Sequence, residues 1–245
     1  MERADQGLAF LLQYENIAWY ENGQVRILDR RVYPNISYVT CRSHGEVAQA
    51  IADMVTQSAG PYTAAAMGMA LAAHECAHKT EEEQRDYLNK AAYTISHARP
   101  TTVKRMEQVT GGCLSAAFSA IKQGETAADA VVRHAIAENN ARYNRIGIIA
   151  KYLVDLIPKG GKVLTQCFGE TIVGQMLKEA RRRGNELKIF CAETRPYFQG
   201  ARLTASVVRD MGFDVTVLTD NMPAFAIQRE HIDVFTSAAD VICGD

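Results

Sequence analysis

Apolar and polar residues alternate in two short runs near the start of the chain, Ile17-Ala-Trp-Tyr20 and Gln24-Val-Arg-Ile-Leu28. Glu21-Asn22-Gly23 lies between them, and Asn-Gly flanked by alternation predicts a β-hairpin. A third strand is expected over residues 36–41. From Ser43 the period lengthens to that of a helix. Ser43-His-Gly-Glu46 reads as a capping box opening a helix that runs to Met54. Further helices are expected over residues 64–76, 81–96, 102–122 and 126–156, with breaks at Gly60-Pro61, Arg99-Pro100 and Gly124. The last helix runs into Pro158 and Gly160-Gly161, which sets a junction between a domain at 1–157 and a second at 158–245.

Beyond that junction the rhythm changes again. Apolar, strand-like runs at 162–167, 187–193, 214–220 and 240–245 alternate with helical stretches at 170–183, 200–211 and 221–229. Short buried strands alternating with helices predict a parallel sheet wound on both faces. The fold class is therefore α/β: a small β and helical N-terminal domain, followed by a Rossmann-like parallel-sheet domain.

In such sheets ligands collect at the carboxyl ends of the strands. Those ends carry Cys167, Glu193, Asp220 and Asp245. A thiol with carboxylates suits proton transfer once the pKa values are tuned. Taken singly, each has a plainer reading, since Asp often caps a helix and Cys often fills a core. Their convergence on one rim is what suggests a site. Arg99-Pro100-Thr101-Thr102 sits between two helices, where an Arg beside a helix N-terminus makes an anion site and the threonines can cap the helix. The segment Glu193-Thr-Arg-Pro-Tyr-Phe-Gln-Gly-Ala-Arg-Leu-Thr204 loads one strand-to-helix loop with two Arg, a Gln and a Gly, and implies a polar ligand. His74-Glu-Cys-Ala-His78 matches the H-E-x-x-H zinc pattern literally, but no third ligand is evident, and no metal is expected.

Composition narrows the classes. The chain has 245 residues, 47% hydrophobic and 22% charged, enough for a core without metal or disulfide staples. Net charge is −1, so nothing in the balance favours nucleic acid or an anionic membrane, and an anionic ligand must be met by local Arg residues. The six cysteines are scattered, and no signal pattern opens the chain, which suits a cytoplasmic setting. The Ala- and Gly-rich stretch at 59–73 is too short for a membrane span and reads as a closely packed helix.

Several segments, in order, resemble the methylthioribose-1-phosphate isomerase family, the sugar-phosphate isomerases related to regulatory subunits of initiation factor 2B. They are Trp19 through Arg31, Tyr38-Val-Thr-Cys-Arg42, the Ala-rich run at 64–73, Arg99-Pro-Thr-Thr-Val103, Leu164-Thr-Gln-Cys167, the stretch at 193–204, Thr219-Asp-Asn-Met222 and Val241-Ile-Cys-Gly-Asp245. The resemblance implies a cofactor-free aldose–ketose isomerase, Cys167 and Asp245 as the catalytic pair, Arg99 and Gln199 as substrate and phosphate contacts, and a homodimer. Its alternative within the same relationship is a non-catalytic subunit that binds a sugar phosphate or nucleotide. Two departures stand out. The family's Arg-Gly-Ala-Pro ahead of the Ala-rich helix is replaced by Thr56-Gln-Ser-Ala-Gly-Pro61, and Phe168-Gly169-Glu170 follows the cysteine where the family has Asn and small residues. These leave methylthioribose-1-phosphate, 5-deoxyribose-1-phosphate and ribose-1,5-bisphosphate all open as substrates. The resemblance also extends past Asp245 by about three strands' worth of sheet, so a shortened or divergent form is expected, its last strand having an unprotected edge.

Overall fold

The structure, a computed structural model, describes residues 3–237 and 244. It divides into two compact units, one formed by Tyr14–Arg142 and the other by the first thirteen residues together with the chain from Tyr143 onward. The division falls inside the longest helix, whereas the turn at Pro158 only ends that helix.

In the Tyr14–Arg142 unit, a short helix α1 (Tyr14–Ile17) leads into β1 (Ala18–Glu21), β2 (Gln24–Leu28) and β3 (Tyr38–Cys41), an antiparallel sheet in that order. Val25, Ile27 and Cys41 turn inward while Gln24, Arg26 and Thr40 face out, the alternation expected of a sheet with one covered face. Helices α2 (His44–Ala52), α3 (Gly60–Glu75), α4 (Glu81–Ser96), α5 (Val103–Gln123) and the first half of α6 (Ala127–Asp155) complete the unit. Helix α3 lies at its centre. Thirteen of its residues, Gly60, Pro61 and Thr63–Ala73, are buried, and its small side chains let neighbours pack from every direction.

Three local expectations change. Gly60-Pro61 opens α3 instead of separating it from what precedes, because Pro is tolerated in a first turn whose N–H groups have no helical partner. Ser43 caps α2 by accepting from the Glu46 N–H at 3.2 Å, but the Glu46 carboxylate reaches one residue further back, to the Arg42 N–H at 2.6 Å. The full reciprocal capping box is at Thr80 and Glu83, on α4.

The other unit is built on a parallel sheet of β4 (Lys162–Thr165), β5 (Lys188–Ala192), β6 (Asp214–Leu218) and β7 (Val234–Thr236) in the order β6-β5-β4-β7. Helices α7 (Thr171–Arg182), α8 (Ala205–Asp210) and α9 (Pro223–Glu230) connect the strands. The order reverses between β4 and β7, which makes that gap the topological switch point of a Rossmann-like sheet. Strand β7 is an addition to the sequence expectation, being only three residues long, while the strand expected at 240–245 falls outside the described residues. No described helix is long and apolar enough to cross a membrane.

Candidate active site

Cys167 follows β4 at the switch point. Its neighbour Gln166 donates from Nε2 to Ser237 Oγ, just past β7, at 2.8 Å, and so spans the gap between the two strands. The thiol residue is exposed and its backbone takes φ +56°, a region costly for a side chain with a Cβ. Two threonine hydroxyls fix that conformation. Thr194 Oγ1 accepts from the Cys167 N–H at 2.8 Å, and Thr204 Oγ1 donates to the Cys167 carbonyl at 2.5 Å. Both threonines belong to the 193–204 segment, so the strand-end cysteine and the polar loop form one assembly.

That loop is itself clamped. Asp220, after β6, accepts from the Thr194 N–H at 2.8 Å and from the Arg195 N–H at 2.7 Å. Its carboxylate is therefore committed to holding backbone and is not a free acid or base, which corrects its place among the chemical groups. Gly200 sits so close to β5 that a Cβ would lie 1.7 Å from the Ala192 carbonyl oxygen, a steric demand for glycine. From Gly200 to Thr204 the helix is a π-turn before α8, a form concentrated at functional sites. Of the eight described non-glycine residues with positive φ, Cys167, Glu170, Thr194 and Phe198 lie in these two loops. Each costs about 1–3 kcal/mol, so the surrounding contacts must hold them in place.

Gln199 lies in the same loop. Its Oε1 is buried without a hydrogen-bond partner, an acceptor left open beside the cysteine-holding segment. The other described thiols are buried. Burial pushes Cys41 up to about 11 and Cys113 and Cys191 up to about 12, and it raises Cys76, so these stay protonated and inert near neutrality.

Arg99 belongs to the other unit, ahead of a 3₁₀ turn at Pro100–Thr102. The threonines do not cap α5 as the sequence suggested. The Thr102 hydroxyl turns back to the Arg99 carbonyl at 3.4 Å. In the same unit, sequence reasoning missed Arg30. Fully buried, it donates from Nη1 to the Gln57 carbonyl at 2.5 Å, at the entrance to α3, while Thr56 Oγ1, Gln57 Oε1 and Thr63 Oγ1 are buried there without partners. A guanidinium thus stands beside the 56–61 stretch although that stretch contains no Arg. The signal was Asp29-Arg30-Arg31 directly after β2, where one Arg must point inward. Glu75 of the H-E-x-x-H match pairs with His44 Nδ1 at 2.7 Å, and no described group of three or more His, Cys, Asp or Glu has metal-holding geometry. Asp245 lies outside the described residues.

Comparison with known proteins places this arrangement. The initiation factor 2 subunit family matches residues 56–244. Methylthioribose-1-phosphate isomerase 1 of Pseudothermotoga lettingae is 32% identical over 243 residues, covering 93% of this chain and 67% of the relative. Methylthioribose-1-phosphate isomerase of Chloroflexus aurantiacus is 32% identical over 246 residues, covering 93% and 68%. Among solved structures, the translation initiation factor eIF-2B subunit delta from A. fulgidus aligns with TM-score 0.75 and 28% identity, over 93% of this chain and 68% of that one. The 5-methylthioribose 1-phosphate isomerase of Pyrococcus horikoshii gives TM-score 0.75 and 27% identity, over 93% and 66%. With a family match over most of its length and relatives at this identity, the chain belongs to the initiation factor 2 subunit family.

Proposed function

We propose that the chain is an aldose–ketose isomerase acting on a pentose 1-phosphate analogue, with Cys167 as a proton-transfer group. The observation that carries this reading is the exposed Cys167 thiol at the switch point, held at φ +56° by two threonine hydroxyls. A fold has no need to spend two hydrogen bonds and a strained dihedral on a surface cysteine unless its thiol must be aimed. The names of the relatives supply the reaction class.

The chemistry follows from the substrate. Phosphate on the anomeric carbon blocks simple ring opening. The ring oxygen must therefore be protonated, the ring opened and hydrogen moved from C2 to C1, either as a proton through an enolate-like species or as a hydride. The resemblance assigns Asp245 as the second member of the pair, and the division of roles between it and Cys167 is open. Gln199, with its open acceptor, is the proposed contact for a sugar hydroxyl, and Arg99 the proposed phosphate contact, positioning the substrate and easing developing charge. Arg30, buried beside the stretch that lacks the family's Arg, keeps a guanidinium at the start of α3. Homodimerisation belongs to the same reading through the resemblance.

The test is a coupled assay for ketose formation from methylthioribose, 5-deoxyribose and ribose 5-phosphate, each as the 1-phosphate. Turnover on one substrate that Cys167→Ser lowers by at least about a thousandfold supports the assignment, as expected for loss of a group acting in the transition state. Binding without turnover on all three selects the second reading, a non-catalytic sugar-phosphate-binding subunit. The absence of an Arg from the 56–61 stretch favours that alternative.

A further inference from the structure

Helix α7 turns a polar stripe, Gln175, Lys178, Glu179 and Arg182, toward α6, and α6 answers with Asn144, Gly147, Ile148 and Lys151. Both sets follow the spacing that in an ordinary helix pair carries the apolar seam. Here the seam is polar and open, and with the N-terminal segment at Arg3 it bounds a groove of about 620 Å³. We propose that this groove binds a small phosphorylated molecule, apart from the candidate active site. Cys167 precedes the N-terminus of α7, whereas the groove follows its second half.

Four cations line the groove, Arg3, Lys151, Lys178 and Arg182, against one lining carboxylate, Glu179. Arg3 is held by the buried Asp5 carboxylate, to which it donates from Nε at 2.9 Å, so the net positive charge rests on Lys151 and Lys178. Glu179 is already answered. It accepts from Arg182 at 2.7 and 2.8 Å and from Arg183 at 2.6 Å, so its charge anchors the two guanidinium groups and leaves the groove positive. Lys178 is steadied by donating to the Gln6 carbonyl at 2.7 Å, which ties the N-terminal segment to the groove wall. Lys151 has no carboxylate partner among the described residues.

Gln175 points to a ligand independently of charge. It is 9% exposed, lines the groove, and its side-chain amide makes no hydrogen bond among the described residues. The amide faces solvent in the groove, where a ligand oxygen and hydroxyl can replace water. Gly147 keeps the opposite wall low, since a Cβ there would lie 3.6 Å from Gln175 Oε1. The groove lies along the C-terminal halves of both helices, where backbone dipoles disfavour anions. The side chains alone must hold the ligand. A compact multiply charged group such as a phosphate ester suits two lysines flanked by two anchored guanidinium groups better than a single carboxylate does, and its binding must weaken with salt.

The proposal does not depend on the reaction at Cys167, and its test is arranged to stay independent. Inorganic pyrophosphate is titrated by calorimetry, at low ionic strength, into the full chain carrying Arg99→Ala. The expected result is saturable binding at one site that weakens at least about tenfold with the paired reversal Lys151→Glu and Lys178→Glu, and measurably with Gln175→Leu. Both lysines are exposed, so the reversed chain should fold, and its melting curve checks this. If it does not, Lys151→Met with Lys178→Met takes its place. Absence of saturable binding in the Arg99→Ala chain, or binding indifferent to these substitutions, overturns the proposal.

Discussion

Cys167 illustrates what a single residue reveals and conceals. Its position after an apolar run marked it as a strand-end group, but the two hydroxyls that aim it, Thr194 and Thr204, come from a different segment and act through backbone atoms. No local pattern announces such a contact. Asp220 shows the converse: its sequence position fitted an acid–base group, and only the loop geometry reveals two N–H donors on its carboxylate. Replacing it with Ala should release the 193–195 backbone, costing about 1–3 kcal/mol of loop order and lowering kcat of the isomerase well before it changes Tm. Gly200→Ala should be more damaging, since its Cβ would meet a strand carbonyl. A loss of about 3 kcal/mol or more in denaturant unfolding is expected. Glu179 supplies a pH signature. Arg182 and Arg183 hold its carboxyl down to about 2 from an ordinary 4.5. The ionised form is thus favoured by folding, and its contribution is complete above 4.5 and lost as pH falls toward 2. Thermal melts of Glu179→Gln should therefore lie below wild type at neutral pH and converge with it across that interval.

Elements were more legible than contacts. Helix α4 runs over the residues its pattern implied, and β1 to β3 follow from alternation and Asn-Gly, because amphipathic period and turn chemistry are properties of adjacent residues. The failures have physical causes. Helix α3 begins four residues before its apolar pattern suggested, because a buried helix has no polar face to mark its first turn. Strand β7 was missed because three residues carry too little periodicity, and its existence depends on pairing with β4, far off in sequence. The two caps separate in a stability test. Thr80→Ala removes two hydroxyl bonds, from the Glu83 N–H and to the Glu83 carboxylate, and should cost about 1 kcal/mol, whereas Ser43→Ala removes only the bond from the Glu46 N–H and should cost less. Urea unfolding of both variants checks the difference.

For the whole molecule, the α/β class and its parallel second half were readable from the change of rhythm after Pro158. The partition into units was not, because the first thirteen residues belong to a unit whose sheet the chain reaches only much later. The central helix should dominate the stability of its unit: Met67→Ala, at a fully buried position, is expected to cost about 2–5 kcal/mol. Amide exchange should be slowest along α3 and fast in β7, the short strand at the margin of the described sheet.

The Tyr14–Arg142 unit is one uninterrupted stretch of chain that falls, in sequence, between the two parts of the other, and within each unit the residues flanking the crossings are hydrogen-bonded. Tyr143 donates to the Leu12 carbonyl at 2.8 Å, and Tyr14 to Asn140 Oδ1, also at 2.8 Å. During synthesis the inserted unit can complete itself as it emerges. The leading segment, with Leu8, Leu11 and Leu12, must instead wait for on the order of ten seconds of translation before the rest of its unit exists. That interval is the stretch of the protein's life in which this apolar segment is uncovered, and a chaperone would find it there.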